Sequence, residues 1–284
     1  MFISSCKPGF DLLSLLENNP LLTHFKSQRF HLTLYNRGDE IPNDVLQDFN
    51  ISVKSGYENN RPTIAEMLKH VQFPCVICNS DIEFVEMGKI EKVCDLSFDI
   101  ASGGRRDYQW DKTKSKFQGR QTLDYFIINS QRGMELMSGL EMPLGTVKID
   151  NKIISDALCE GLRVLDVTKQ IKVFHKNHES FKISGRFNLD INARKKSNFQ
   201  ADRESSTNYR FGSLHYARNV LSLGDRYLVY NVPFRIKRFR YFLGRLRIVL
   251  ENTLEKKISG WLVKENREII GFRYFLFIYI PRYK

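Results

Sequence analysis

The chain has 284 residues, of which 42% are hydrophobic, 12% aromatic and 27% charged, enough for a full core in one large or two ordinary domains. That balance excludes wholesale disorder, collagen-like repeats and coiled coil. The 44 Lys and Arg against 32 Asp and Glu leave a net charge of +12, which implies polyanionic company: nucleic acid, anionic lipid or a phosphorylated small substrate.

Phe2–Cys6 reads as a short buried strand stopped by Lys7-Pro8-Gly9, and Phe10–Leu22 carries helical spacing at Leu12, Leu13, Leu15 and Leu16. Phe30–Tyr35 is a second strand, ending in Asn36-Arg-Gly-Asp39, and Ile51–Val53 a short third. Thr63–Val71 is predicted helical, with Thr63 as N-cap and Glu66 completing a capping box. Phe73–Cys78 is an apolar strand that ends abruptly in Asn79-Ser80-Asp81; Thr122–Ile128, Arg163–Val167 and Ile171–Phe174 read as further strands, and Lys148–Cys159 as a helix. Strands alternating with helices, the central ones apolar on both faces, predict an α/β fold with a mostly parallel sheet covered by helices.

After Ser184 the character changes. Asn192–Ser206 is polar and irregular, and Pro233–Leu250 is basic and aromatic without a single acid. Pro233–Lys284 holds thirteen Lys and Arg against four Asp and Glu, so most of the excess charge is C-terminal. The expected organisation is a first domain over 1–183, an irregular connection over 184–232 and a basic, partly helical extension over 233–284. The five cysteines, Cys6, Cys75, Cys78, Cys94 and Cys159, are odd in number and sit mostly in apolar runs, which fits packed thiols in a reducing compartment better than a disulfide framework or a zinc site. The opening Met1–Pro8 lacks the features of a signal peptide and no run reaches the length of a spanning helix, so the expected location is cytoplasmic.

In parallel α/β sheets ligands bind at the carboxyl ends of the strands, where Asn79, Ser80 and Asp81 are expected. A carboxylate there can hold a hard divalent cation that neutralises a diphosphate; the plainer alternative is an Asx turn. Along the chain follow Gly103-Gly-Arg-Arg-Asp107, Leu123-Asp-Tyr-Phe126, Met142-Pro-Leu-Gly145 with Asp150-Asn151, Val164-Leu-Asp-Val-Thr168 and His175-Lys-Asn-His178.

That ordered series resembles a family of GT-A-fold glycosyltransferases over roughly 1–181, departing from it where Asn79 replaces the first Asp of an Asp-x-Asp pair and where Ile149 replaces an aromatic residue. The resemblance implies a GT-A-like (Rossmann-like) sheet and transfer of a sugar from a nucleotide-diphospho-sugar donor to a hydroxyl acceptor, glycan or lipid-linked, assisted by Mn²⁺ or Mg²⁺. It makes Asp81 the metal-facing carboxylate and Asn79 its hydrogen-bonding companion. Asp124 and Asp150 become the candidates for acceptor orientation and general base, with Asp150 read as the base and a helix cap as its alternative. Arg105 and Arg106, after the flexible Gly103-Gly104, are placed to grip the diphosphate, or else lie on a solvated loop. Asn36, Asp39 and Arg61 fall where the nucleoside would sit, or serve as turn residues. His175 and His178 are both candidates to complete the metal sphere, with the choice left open. A non-catalytic binding protein on the same frame is the competing reading.

Within 233–250, Phe234, Phe239, Phe242, Leu243, Leu246 and Val249 or Leu250 alternate with cations, the composition of an amphipathic helix lying on an anionic membrane surface. A helix packing its apolar stripe on the domain is the plainer reading, and a phosphate-tracking nucleic-acid surface is the less favoured one, since no recognised nucleic-acid motif accompanies it.

Overall fold

A computed structural model describes residues 1–5, 30–35, 50–54, 62–108, 111–144, 148–176, 211–233, 236–239 and 241–242. The expected helix Phe10–Leu22, the candidates Asn36, Asp39, Arg61 and His178, and the polar stretch Asn192–Ser206 lie outside the described residues. The chain divides into two compact units, Met1–Val232 and Pro233–Lys284.

The first unit is α/β. In chain order its strands begin with β1 (Phe2–Ser5), β2 (Leu32–Tyr35), β3 (Ile51–Lys54), β4 (Cys75–Asn79) and β5 (Ile82–Phe84). They continue with β6 (Ile100–Ser102), β7 (Arg106–Tyr108), β8 (Lys116–Phe117) and β9 (Tyr125–Ile128). The last are β10 (Val164–Asp166), β11 (Val173–Lys176), β12 (Arg218–Leu223) and β13 (Arg226–Tyr230). Nine of them form a large mixed sheet in the order β13-β12-β10-β6-β9-β4-β1-β2-β3, and the other four a small sheet, β5-β11-β7-β8. In the large sheet β3, β2, β1 and β4 pair in parallel, as do β6, β10 and β12. Strand β9 runs antiparallel to both of its neighbours, β4 and β6, and β13 is antiparallel to β12.

The large sheet separates two apolar layers, which is why its central strands read as continuous apolar runs. Val76 and Cys78 of β4 pack with Phe2, Tyr125 and Ile127 on one face, while Cys75 and Ile77 pack with Ile3, Phe126 and Ile128 on the other, the alternation that a pleated strand imposes. Helices α1 (Ile64–Leu68), α3 (Gln131–Ser138) and α4 (Ile149–Cys159) cover the second face through Ile64, Met67, Met134, Met137, Ile153 and Ile154. Helix α2 (Gly88–Cys94) lends Ile90 and Val93 to the first. The capping box predicted for α1 is formed: Thr63 Oγ1 accepts from Glu66 N at 3.1 Å, and Glu66 Oε2 accepts from Thr63 N at 2.7 Å, a motif whose cap contributes about 1 kcal/mol.

Two expectations change. Residues 218–230, assigned to an irregular connection, add β12 and β13 to the large sheet, with Arg218 in register beside Leu165. Val220 turns into the core and Gly224, at φ +58°, makes the hairpin turn, while Leu221, Leu223, Leu228 and Tyr230 stay exposed. An edge hairpin with one wet face carries too little apolar signal to stand out in sequence. The strand expected to end at Phe174 is shifted to Val173–Lys176, which places His175 inside β11. No helix among the described residues is long and apolar enough to cross a membrane.

Cys75 and Cys78 are buried in β4 and not disulfide-bonded. Burial pushes the Cys75 thiol up to about 12 and drives that of Cys78 higher still, with the Asp81 carboxylate adding to the effect. Since the thiolate is the reactive species, Cys159, exposed at the end of α4, is expected to react with an aromatic disulfide reagent in the native protein, and Cys75 and Cys78 only after denaturant. Peptide mapping of the labelled sites checks this, and native labelling of Cys78 would contradict the packing described.

Candidate functional site

The parallel strands β4, β6 and β10 bring their carboxyl ends to one edge of the large sheet. Because β9 is reversed, its amino end arrives at the same edge. Asn79, closing β4, therefore meets Asp124, just ahead of β9, across 45 residues of chain. The Asn79 backbone N–H donates to the Asp124 carbonyl at 2.8 Å, and Asn79 Nδ2 donates to Asp124 Oδ1 at 2.7 Å. Arg105 takes the other carboxylate oxygen: Nη1 donates to Asp124 Oδ2 at 2.5 Å, and Nε lies 2.8 Å from Asp107 Oδ1. Burial works against the guanidinium charge, but Asp124, Asp107 and Asp81 more than offset it and hold the Arg105 pKa above its ordinary value.

The small sheet extends this cluster. Strand β11 pairs with β5 on one side and β7 on the other, setting His175 beside Ile82 and Asp107, and Asp81 immediately precedes β5. His175 Nε2 is 3.3 Å from Asp81 Oδ2 and Nδ1 is 3.4 Å from Asp107 Oδ1. Burial alone would depress the imidazole, yet hydrogen bonding to Asp107 and Asp81 raises it to about 9, so at neutral pH it is an imidazolium held between two carboxylates. Among the described residues the cluster gathers three carboxylates, Asp81, Asp107 and Asp124, around Arg105 and His175.

Among the described residues no group of three or more His, Cys, Asp and Glu side chains is arranged to hold a metal ion. Asp81 and His175 nonetheless offer a carboxylate oxygen and a ring nitrogen 3.3 Å apart, close to the roughly 3 Å edge of an octahedron with 2.0–2.1 Å bonds. As a ligand His175 would release its Nε2 proton and keep Nδ1–H on Asp107, the outer partner that fixes ring and tautomer.

Asp150 stands in the first turn of α4. Its Oδ2 accepts from Leu123 N at 3.0 Å and its Oδ1 from Asn151 N at 2.9 Å, so it ties α4 to the residue before Asp124. Burial raises its pKa to about 6, with a further push from Asp124, against the backbone N–H groups of Leu123, Asn151 and Asp150 itself. Each oxygen retains a second lone pair, and a carboxyl titrating near 6 is suited to accept a proton at neutral pH.

Not every candidate joins this cluster. Arg106, next along the chain, turns to Ser115: Nε donates to its hydroxyl at 3.1 Å and Nη2 to its carbonyl at 3.4 Å. Neighbouring residues of an extended chain face opposite sides, so the two arginines do not act as a pair. Gly103-Gly104 is a packed floor instead of a flexible loop: a Cβ on Gly103 would lie 2.4 Å from the Tyr125 hydroxyl, and one on Gly104 2.2 Å from the Gly119 carbonyl. Ser80 is buried at the turn after β4. Asp107 joins the cluster and Arg120 and Asp166 pair beside it, three residues that sequence reasoning missed, although two of them stand inside the quoted Arg-Arg-Asp and Val-Leu-Asp-Val-Thr motifs. Arg120 Nε lies 2.6 Å from Asp166 Oδ2, Thr168 Oγ1 donates to Asp166 Oδ1 at 2.6 Å, and Gly104 N donates to Thr168 Oγ1 at 3.0 Å. This second acid–arginine pair braces the Gly103-Gly104 floor.

Comparison with known proteins does not extend this picture: no protein-family model matches the chain, and no curated protein matches it.

Proposed function

We propose that the chain is a GT-A-like glycosyltransferase that moves a sugar from a nucleotide-diphosphate donor to a hydroxyl acceptor with help from a divalent cation. The observation that carries this reading is the meeting of Asn79, Asp81, Arg105, Asp124 and His175 at the carboxyl edge of the large sheet, the place where open α/β sheets bind nucleotides. Asp81 and His175 would hold Mn²⁺ or Mg²⁺, which supplies charge neutralisation to the departing diphosphate. Asp124, with both oxygens engaged, acts as a positioning residue: it fixes Asn79 and aims Arg105. Arg105 adds charge-assisted donors for the diphosphate, and Asp150 takes the acceptor proton.

Asp81 faces the proposed diphosphate site with a carboxylate, so nucleotide binding should require the cation that bridges the two. Thermal shift tests this directly. A nucleotide diphosphate with Mn²⁺, at about a hundred times its Kd, contributes about 2.7 kcal/mol, a rise of roughly 5–10 °C for a protein of this size. The shift should vanish without metal and in Asp81→Ala. A shift that is indifferent to metal, or that survives Asp81→Ala, would remove the metal-assisted reading. A non-catalytic binding protein would show the same shift with no sugar released in a donor-hydrolysis assay.

A further inference from the structure

Residues 236–239 and 241–242 of the second unit are helical, and the turn opens at Pro233, whose carbonyl accepts from Ile236 N at 3.0 Å and Lys237 N at 3.1 Å. Proline suits the start of a helix because it has no N–H to leave unsatisfied there. On an ordinary surface helix the apolar stripe faces the core and the cations face water. Here the order is reversed: Lys237 is buried, while Ile236, Phe239 and Phe242 stand out, the two phenylalanines at 61% and 60% exposure. No other large hydrophobic residue among those described is more exposed than these two. Their spacing of three residues puts all three along one side of the helix. The remainder of the expected helix, 243–250, lies outside the described residues.

The charge along this segment says what covers it. From Pro233 to Leu250 the sequence carries six Lys and Arg and no Asp or Glu. We infer that the face formed by Ile236, Phe239 and Phe242 docks on an anionic lipid bilayer, the apolar side chains entering the headgroup boundary and the flanking cations meeting lipid phosphate and carboxylate groups. Exposed Phe beside Arg and Lys is the composition of an interfacial helix, which needs both apolar burial and surface attraction. A protein partner would have to supply a strongly acidic apolar groove, whereas a bilayer containing anionic lipid supplies both components at once.

The test is vesicle co-sedimentation of the full chain. Wild type should pellet with phosphatidylcholine vesicles containing phosphatidylserine and stay in solution with phosphatidylcholine alone. Phe239→Ser with Phe242→Ser should weaken binding at least about tenfold, since each exposed ring contributes its transfer free energy on burial. Arg238→Gln with Arg240→Gln should cost about fivefold per cation removed. Both pairs are checked for unchanged thermal unfolding, the result expected where exposed side chains such as Arg238, Phe239 and Phe242 are replaced. Three results would overturn the proposal: no sedimentation of wild type with the anionic vesicles, full-strength sedimentation of the phenylalanine variant, or an oligonucleotide that displaces the vesicles through the same residues.

Discussion

Replacing Arg105 by Ala is expected to lower the unfolding free energy by about 3–5 kcal/mol, a drop in Tm of roughly 10 °C. Arg105 serves two carboxylates at once, 2.5 Å from Asp124 and 2.8 Å from Asp107. Asp124 is buried, so without the guanidinium its charge keeps only the Asn79 amide, and a buried charge that loses its partner costs far more than a surface ion pair ever contributes. Arg105→Lys should recover a minor part of the loss, because a single ammonium cannot reproduce the planar fork that reaches both acids. Arg105→Met combined with Asp124→Leu should be less damaging than Arg105→Ala alone, since the stranded charge is gone. Denaturant unfolding of the three variants decides it. A loss below about 1 kcal/mol for Arg105→Ala would mean that the pair is solvated, and the rigid cluster described at the sheet edge would not exist.

How much of this was legible in the sequence depends on the range of the interaction. The capping box at Thr63 and Glu66 and the apolar runs of β1, β2, β4 and β10 are local, with helix caps and buried strands writing their own signal into a few residues, and all of them are formed in the structure. Strand β9 was recognised as a strand, but its reversal was not, because direction in a sheet is set by connections that no local pattern encodes. That reversal is what turns Asp124 from a strand-start acid into the partner of Asn79. Asp107 was hidden for the same reason, and His175 stood only as one of two candidate ligands: their meeting depends on the register of β11 against β7 in a sheet whose strands are only two to four residues long. Gly103-Gly104 misled in the opposite direction, since two glycines in sequence suggest freedom while their actual use is to let Tyr125 and the Gly119 carbonyl approach closely. Phe239 and Phe242 are legible in sequence as part of an apolar stripe, but Ile236 is not, and which way these side chains face is a tertiary fact.

Asp150→Asn is expected to reduce the transfer rate by about a hundred- to ten-thousandfold while leaving the fold nearly intact. The asparagine oxygen can still accept from Leu123 N, while its NH2 faces the Asn151 N–H, so that contact is lost at a cost of about 1–3 kcal/mol. The pH dependence separates this role from that of a mere helix tie. With its carboxyl raised from an ordinary 3.8 to about 6, wild type should gain activity as pH rises through about 6, and that limb should disappear from the residual activity of Asp150→Asn. Stability must run the other way. A carboxyl whose folded pKa lies above its unfolded one contributes stability that is fully present below about pH 4 and is lost as pH climbs through 6, on the order of 3 kcal/mol in all. One group thus sets activity and stability against each other over the same pH window. A transfer rate flat from pH 5 to 7 at saturating donor, on the order of one pKa unit either side of the group, would show that Asp150 does not take the acceptor proton. A stability profile flat over that interval would show further that its carboxyl is not desolvated.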